Sequence, residues 1–119
     1  MGQKHERLRE EFELLFQDTF PESRIFKRIV SQLYLPNGVP IKVNMDGQAD
    51  SWAIIKIKEY LIHLEIEYKI GKDRQSKEQK NWQGVVESLN GIYILVHDLG
   101  IHGLTPMQAI EKIKELLKC

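Results

Sequence analysis

The chain has 119 residues, 17 basic against 17 acidic, one cysteine, 42% apolar and 29% charged side chains. That length and apolar share fit one domain with a single core, taken to span residues 1–119. A lone thiol, Cys119, excludes an internal disulfide and a thiolate metal site; zero net charge counts against a protein that coats nucleic acid by charge alone; and no apolar run reaches the roughly eighteen residues of a membrane span.

Residues from His5 to Asp18 predict an amphipathic helix, with Leu8, Phe12, Leu15, Phe16 and Thr19 at helical spacing. Its charged start carries no apolar signal core, so a cytoplasmic protein is expected. Phe20-Pro21-Glu22-Ser23 ends it. Arg24 to Leu35 fits either a strand or a short helix. Pro36-Asn37-Gly38 is a turn signal, and Pro40 to Val43 predicts a short strand. Ser51 to Lys58 and Leu61 to Ile70 predict two longer strands in an antiparallel hairpin. The second alternates Ile62, Leu64, Ile66 and Tyr68 with His63, Glu65, Glu67 and Lys69. Ser76 and Gln79 form a capping-box pattern ahead of a helix expected to bury Trp82, Val85, Val86 and Leu89, and to stop at Asn90-Gly91. Ile92 to Val96 predicts a strand covered on both sides. Thr105-Pro106 opens a last helix with a stripe of Met107, Ile110, Ile113, Leu116 and Leu117. The order α-β-β-β-α-β-α predicts an α/β sandwich, a mixed central sheet flanked by helices.

The polar face of the Leu61–Ile70 strand sets Glu65, Glu67 and Lys69 about 7 Å apart in succession. A hairpin turn centred between Lys58 and Glu59 would set Asp50 opposite Glu67, with Cβ atoms about 5 Å apart; a one-residue slip would remove that pairing. Two facing carboxylates repel unless a cation lies between them. Hard oxygen donors suit Mg2+ or Mn2+, and a neighbouring lysine suits phosphoryl chemistry. Each element has an ordinary alternative: Asp50 as a turn residue, Glu67 and Lys69 as a solvated ion pair, Gln79 as a cap. Glu65 is expected to be a surface residue rather than a second metal ligand, and Trp82 part of the core rather than a stacking partner for substrate. His5, His63, His97 and His102 show no metal-ligand spacing along the chain.

Taken in order, Gly47-Gln48-Ala49-Asp50, Glu67-Tyr68-Lys69-Ile70-Gly71-Lys72, and Gln79 with Trp82 resemble the VRR-NUC branch of the PD-(D/E)XK nucleases. Arg24-Ile25-Phe26-Lys27-Arg28 is similar to the basic-aromatic strand that precedes the Gly-x-x-Asp segment in that branch. The likeness runs from Glu6 to Leu117, and small stand-alone members are common in bacteriophages. It implies a restriction-endonuclease-like three-layer sandwich in a bacterial or phage-infected cell. It implies catalytic Asp50, Glu67, Lys69 and Gln79, with Mg2+ or Mn2+ held by Asp50, Glu67 and the Tyr68 backbone carbonyl. An acid on the first helix would complete the metal site; Glu6 fits best by spacing, with Glu10, Glu11 and Glu13 as close rivals. Arg24, Lys27, Arg28, Lys72 and Arg74 become candidate DNA contacts, or else solubilising charges, as for Lys77 and Lys80. Ala49, Ile70, Ser31 and Asn44 depart from the pattern, at places where proline, a small polar residue and two glycines are usual.

The expected function is metal-dependent hydrolysis of DNA phosphodiester bonds by a structure-selective endonuclease, nicking or resembling a Holliday-junction resolvase, and acting as a homodimer. The alternative is a non-catalytic DNA- or protein-binding module on the same fold. A nucleotide hydrolase lacks support, because no glycine-rich phosphate loop occurs in the sequence.

Overall fold

The computed structural model describes residues 2–28, 32–34, 36–42 and 47–118. Ser31 and Asn44, two of the departures noted above, lie outside them, as do Ile29, Val30, Leu35, Val43 and Cys119. The elements run α1 (Gly2–Thr19), β1 (Ser23–Lys27), β2 (Gln32–Tyr34), β3 (Pro40–Lys42), β4 (Ser51–Ile57), β5 (Tyr60–Lys69), α2 (Lys77–Ser88), β6 (Ile92–His97) and α3 (Pro106–Leu117). Five strands precede α2 where three were expected. The ambiguous Arg24–Leu35 segment contributes two of them, because β1 finds a partner in β4 and β2 finds one in β3. Tertiary pairing thus resolves what local propensity leaves open.

Strands β1, β4, β5 and β6 form a mixed four-stranded sheet in that order, while β2 and β3 make a separate two-stranded ladder. The β1–β4 and β4–β5 pairs are antiparallel, and β5–β6 is parallel. A parallel neighbour needs a crossover, which α2 supplies. The β4–β5 hairpin turns at Lys58 and Glu59, with Lys58 at φ 56°. Its ladder pairs Ser51 with Ile66, so one further step sets Asp50 beside Glu67, as the expected register requires.

Helices α1 and α3 cover one sheet face. Leu8, Phe12 and Phe16 of α1 and Ala109, Ile110 and Ile113 of α3 meet Ala53, Ile55, Leu64, Ile66 and Tyr68. Helix α2 covers part of the other face, where Val86 and Trp82 pack with Ala49, Tyr93 and Leu95. This is an α/β arrangement of an open mixed sheet with three helices. Both capping boxes are formed, Ser76 with Gln79 and Thr105 with Gln108.

Two expected stripes are narrower than predicted. Val85 and Leu89 of α2 and Met107 and Leu116 of α3 are exposed. Helix α2 lies against β6 through a small contact built on Val86, so its neighbours turn outward. Helix α3 uses Ala109 rather than Met107, because a small side chain permits close approach to the sheet. No helix among the described residues is long and apolar enough to cross a membrane.

Candidate metal centre

The site lies where the end of β5 meets the start of β4, with α1 on one side and α2 on the other. Gly47 explains how the chain enters it. Its φ is +82°, and a Cβ there would lie 2.3 Å from the Glu78 carbonyl oxygen. Only glycine lets the segment before Asp50 press against the first turn of α2. Asp50 then accepts a hydrogen bond on Oδ2 from the Tyr68 backbone N–H at 2.9 Å. That bond ties the loop to β5 and fixes the carboxylate beside Glu67.

Glu67 is 2% exposed, and its Oε1 has no hydrogen-bond partner among the described residues. Lys69 Nζ stands 4.0 Å from its other oxygen, Oε2. Burial, and then the nearby Asp50 carboxylate, push the Glu67 pKa from 4.5 up to about 9. Both causes favour the neutral acid, which can share its proton with Asp50. A buried carboxyl with an orphaned oxygen facing a second carboxylate is an unfavourable arrangement by itself. A divalent cation that displaced the Glu67 proton to solvent would relieve both defects, by neutralising the two carboxylates and occupying the free oxygen. The donor set is thus chemically suited to Mg2+ or Mn2+: two carboxylates, with the Tyr68 carbonyl adjacent. Among the described residues, no three His, Cys, Asp or Glu side chains form a ready-made cage. Backbone oxygen and solvent would have to complete the shell, as is usual for Mg2+.

Asp50, Glu67, Tyr68, Lys69 and Gln79 line one cleft of about 340 Å3, so the structure brings the predicted catalytic residues together. Gln79 is there in two capacities. Its side chain accepts the Ser76 backbone N–H at 2.8 Å, closing the cap, while it also borders the cleft.

The first-helix acid is placed differently from expectation. Glu6 is held by Arg9 at 2.6 and 3.0 Å and lies 3.6 Å from Lys27, away from Asp50. The Arg9 hydrogen bond brings its pKa down to about 2. The α1 residue that reaches the site is His5. Its Nε2 is 3.0 Å from the Tyr68 carbonyl oxygen and 3.5 Å from Asp50 Oδ2. Chain spacing between histidines does not reveal this, but helix periodicity does: His5, Leu8, Phe12 and Phe16 form one stripe, and Glu6 is turned about 100° from it. Asp73, in the loop after β5, also borders the cleft and carried no sequence signal.

Glu65 corrects a second expectation. It is fully buried, not a surface residue. Arg28 bonds both its oxygens at 2.7 and 3.2 Å, Trp82 Nε1 donates to it at 2.9 Å, and His63 closes the set. Burial opposes its ionisation, but the hydrogen bonds from Arg28, Trp82 and His63 outweigh that and hold its pKa below the ordinary value. Arg28, expected among the DNA contacts, is therefore directed inward, bonding Ala49 O as well at 2.9 Å. Arg24, Lys27, Lys72 and Arg74 are exposed, with Lys27 near Glu6. Farther along the same sheet face, Phe26 stacks on Trp52 at 4.5 Å and Trp52 on His63 at 5.9 Å, a row with no motif in the sequence to announce it.

No protein-family model, curated protein or solved structure matches the chain. The chemistry of the centre accordingly rests on its own geometry.

Proposed function

We propose that this protein is a Mg2+- or Mn2+-dependent nuclease that hydrolyses DNA phosphodiester bonds, on a restriction-endonuclease-like fold of the VRR-NUC type. The observation that carries the reading is the buried Glu67 carboxyl facing the part-exposed Asp50 carboxylate beside Lys69, with one Glu67 oxygen unpartnered among the described residues. Asp50, Glu67 and the Tyr68 carbonyl would hold the cation. When bound, such a cation lowers the pKa of a coordinated water and offsets charge gathering on the phosphate.

The protein's own groups have separable tasks. The Tyr68 N–H bond to Asp50 holds that carboxylate in place, so little reorganisation is needed on binding. Lys69, 17% exposed and restrained near Glu67, presents its ammonium to the cleft, where it can bond a phosphate oxygen or orient the attacking water. Gln79 keeps the start of α2 fixed against the Gly47 loop. Exposed Arg24, Lys72 and Arg74 supply cations for the phosphate backbone. The Phe26–Trp52–His63 stack covers both faces of Trp52 and leaves only the outer faces of exposed Phe26 and His63, at its two ends, on which an unstacked base could lie. Cutting of a four-way junction would engage a symmetric homodimer.

The test is incubation with supercoiled plasmid and with a four-way junction, in Mg2+, Mn2+ or EDTA. The native chain should nick or cut only with metal, and Glu67→Ala or Lys69→Ala should lower the rate by roughly a hundredfold or more. No cutting with either metal, together with undiminished DNA binding by all three proteins, would leave a binding module instead.

A further inference from the structure

We infer that His5 is the nitrogen ligand by which α1 completes the cation site, and that its imidazole makes the site prefer Mn2+ to Mg2+. The inference rests on the metal-site reading above for the presence of a cation, and it does not require cleavage.

Position comes first. Metal–oxygen bonds of about 2.1 Å at right angles separate neighbouring donors by about 3.0 Å. His5 Nε2 lies 3.0 Å from the Tyr68 carbonyl oxygen and 3.5 Å from Asp50 Oδ2, close to the spacing of adjacent ligands on one ion; His5, Asp50 and Glu67 do not yet form a three-ligand cage, so a cation would have to draw Glu67 in to join them. Without metal, Nε2–H donates to the Tyr68 carbonyl and stands in for the cation. To hold a cation, the imidazole would carry its proton on Nδ1 and offer the Nε2 lone pair.

The imidazole is also well supported. Its ring meets the Tyr68 ring edge-on at 5.9 Å, and Leu8 and Phe12 anchor the next two turns of α1 in the core. Its side chain is one-third exposed, which leaves room for solvent to fill the remaining positions. The acid expected in this role, Glu6, is occupied by Arg9 and Lys27.

Ligand chemistry sets the preference. Mg2+ favours oxygen donors and strict octahedral geometry and takes nitrogen reluctantly, whereas Mn2+, although the weakest binder among the first-row divalent ions, tolerates an imidazole beside its oxygen ligands.

The test uses the intact chain loaded with one equivalent of Mn2+. Electron spin-echo envelope modulation should show a 14N coupling that is replaced by a 15N coupling on 15N-histidine labelling, and that is absent from His5→Ala. Calorimetry should show Mn2+ affinity falling about tenfold or more in His5→Ala, with Mg2+ affinity changing by less than about threefold. His5→Glu should bind both ions, lack the 14N signal and narrow the Mn2+ preference. Bound Mn2+ without histidine nitrogen coupling, or tighter Mn2+ binding by His5→Ala, would overturn the ligand assignment, the latter showing that His5 plugs the site. Cleavage that persists alongside such a result would sink His5 alone and leave the nuclease reading intact; histidine coupling in a protein that cuts no DNA would sink the nuclease reading and leave His5.

Discussion

Glu65 and Glu67 are two residues apart on one face of one strand, are both buried, and behave in opposite ways. Glu65 is surrounded by donors from three elements, and its pKa is held below the ordinary value despite burial. Glu67 meets a second carboxylate, keeps an oxygen without a partner among the described residues, and is pushed up to about 9. Burial raises the pKa of both, so the partners decide the sign. A buried carboxylate whose hydrogen bonds are all supplied by the fold is part of the fold. One whose needs the fold leaves unmet is available for a ligand. The pair thus separates a structural acid from a candidate functional one without reference to position in the chain.

The largest effect should come from breaking the structural member. Glu65→Ala strands the Arg28 guanidinium and the Trp82 N–H, and should cost about 3–5 kcal/mol in urea unfolding. Ion-paired Glu65 also contributes stability above pH 4.5 that is lost as pH falls through its lowered pKa, so native stability should drop on acidification more than in Glu65→Gln.

The functional member should show the reverse sign. With no metal, the folded state keeps a proton on Glu67 that the unfolded chain has lost, so stability falls as pH rises from 4.5 toward about 9. Glu67→Gln should flatten that slope and raise metal-free stability at pH 8 by about 1–2 kcal/mol, roughly 4–8 °C in Tm. A substitution that abolishes activity while stabilising the fold would mark a site built for function at a cost to stability. An unchanged slope would show that Glu67 is ionised in the folded protein, as Glu65 is, in spite of its burial.

Much of this centre is legible in the sequence. Alternation gives β5 its faces, and the short break at Lys58-Glu59 gives the register that sets Asp50 beside Glu67. The Ser76 and Thr105 caps locate both later helices. Burial of the polar face is not legible. Glu65 looks like a solvated residue because alternation says which residues share a face and not whether a helix covers it, and α2 covers this one through Trp82. His5 is missed for a related reason. Its approach to Tyr68 depends on where α1 docks, and only the continuation of the Leu8–Phe12–Phe16 stripe hints at it. β1 remains undecided until β4 is there to pair with it, since short apolar segments carry no period of their own.

If Glu67, and not Glu65, belongs to a cation site, the two acids differ in what their loss does to metal uptake. The most direct measurement is Mn2+ binding, followed by the loss of the free-ion EPR signal, in the native chain, Glu67→Gln and Glu65→Gln. The account predicts one site in the native protein, its loss in Glu67→Gln, and its retention in folded Glu65→Gln. Binding that survives Glu67→Gln, or a native chain that takes up no Mn2+, would contradict it.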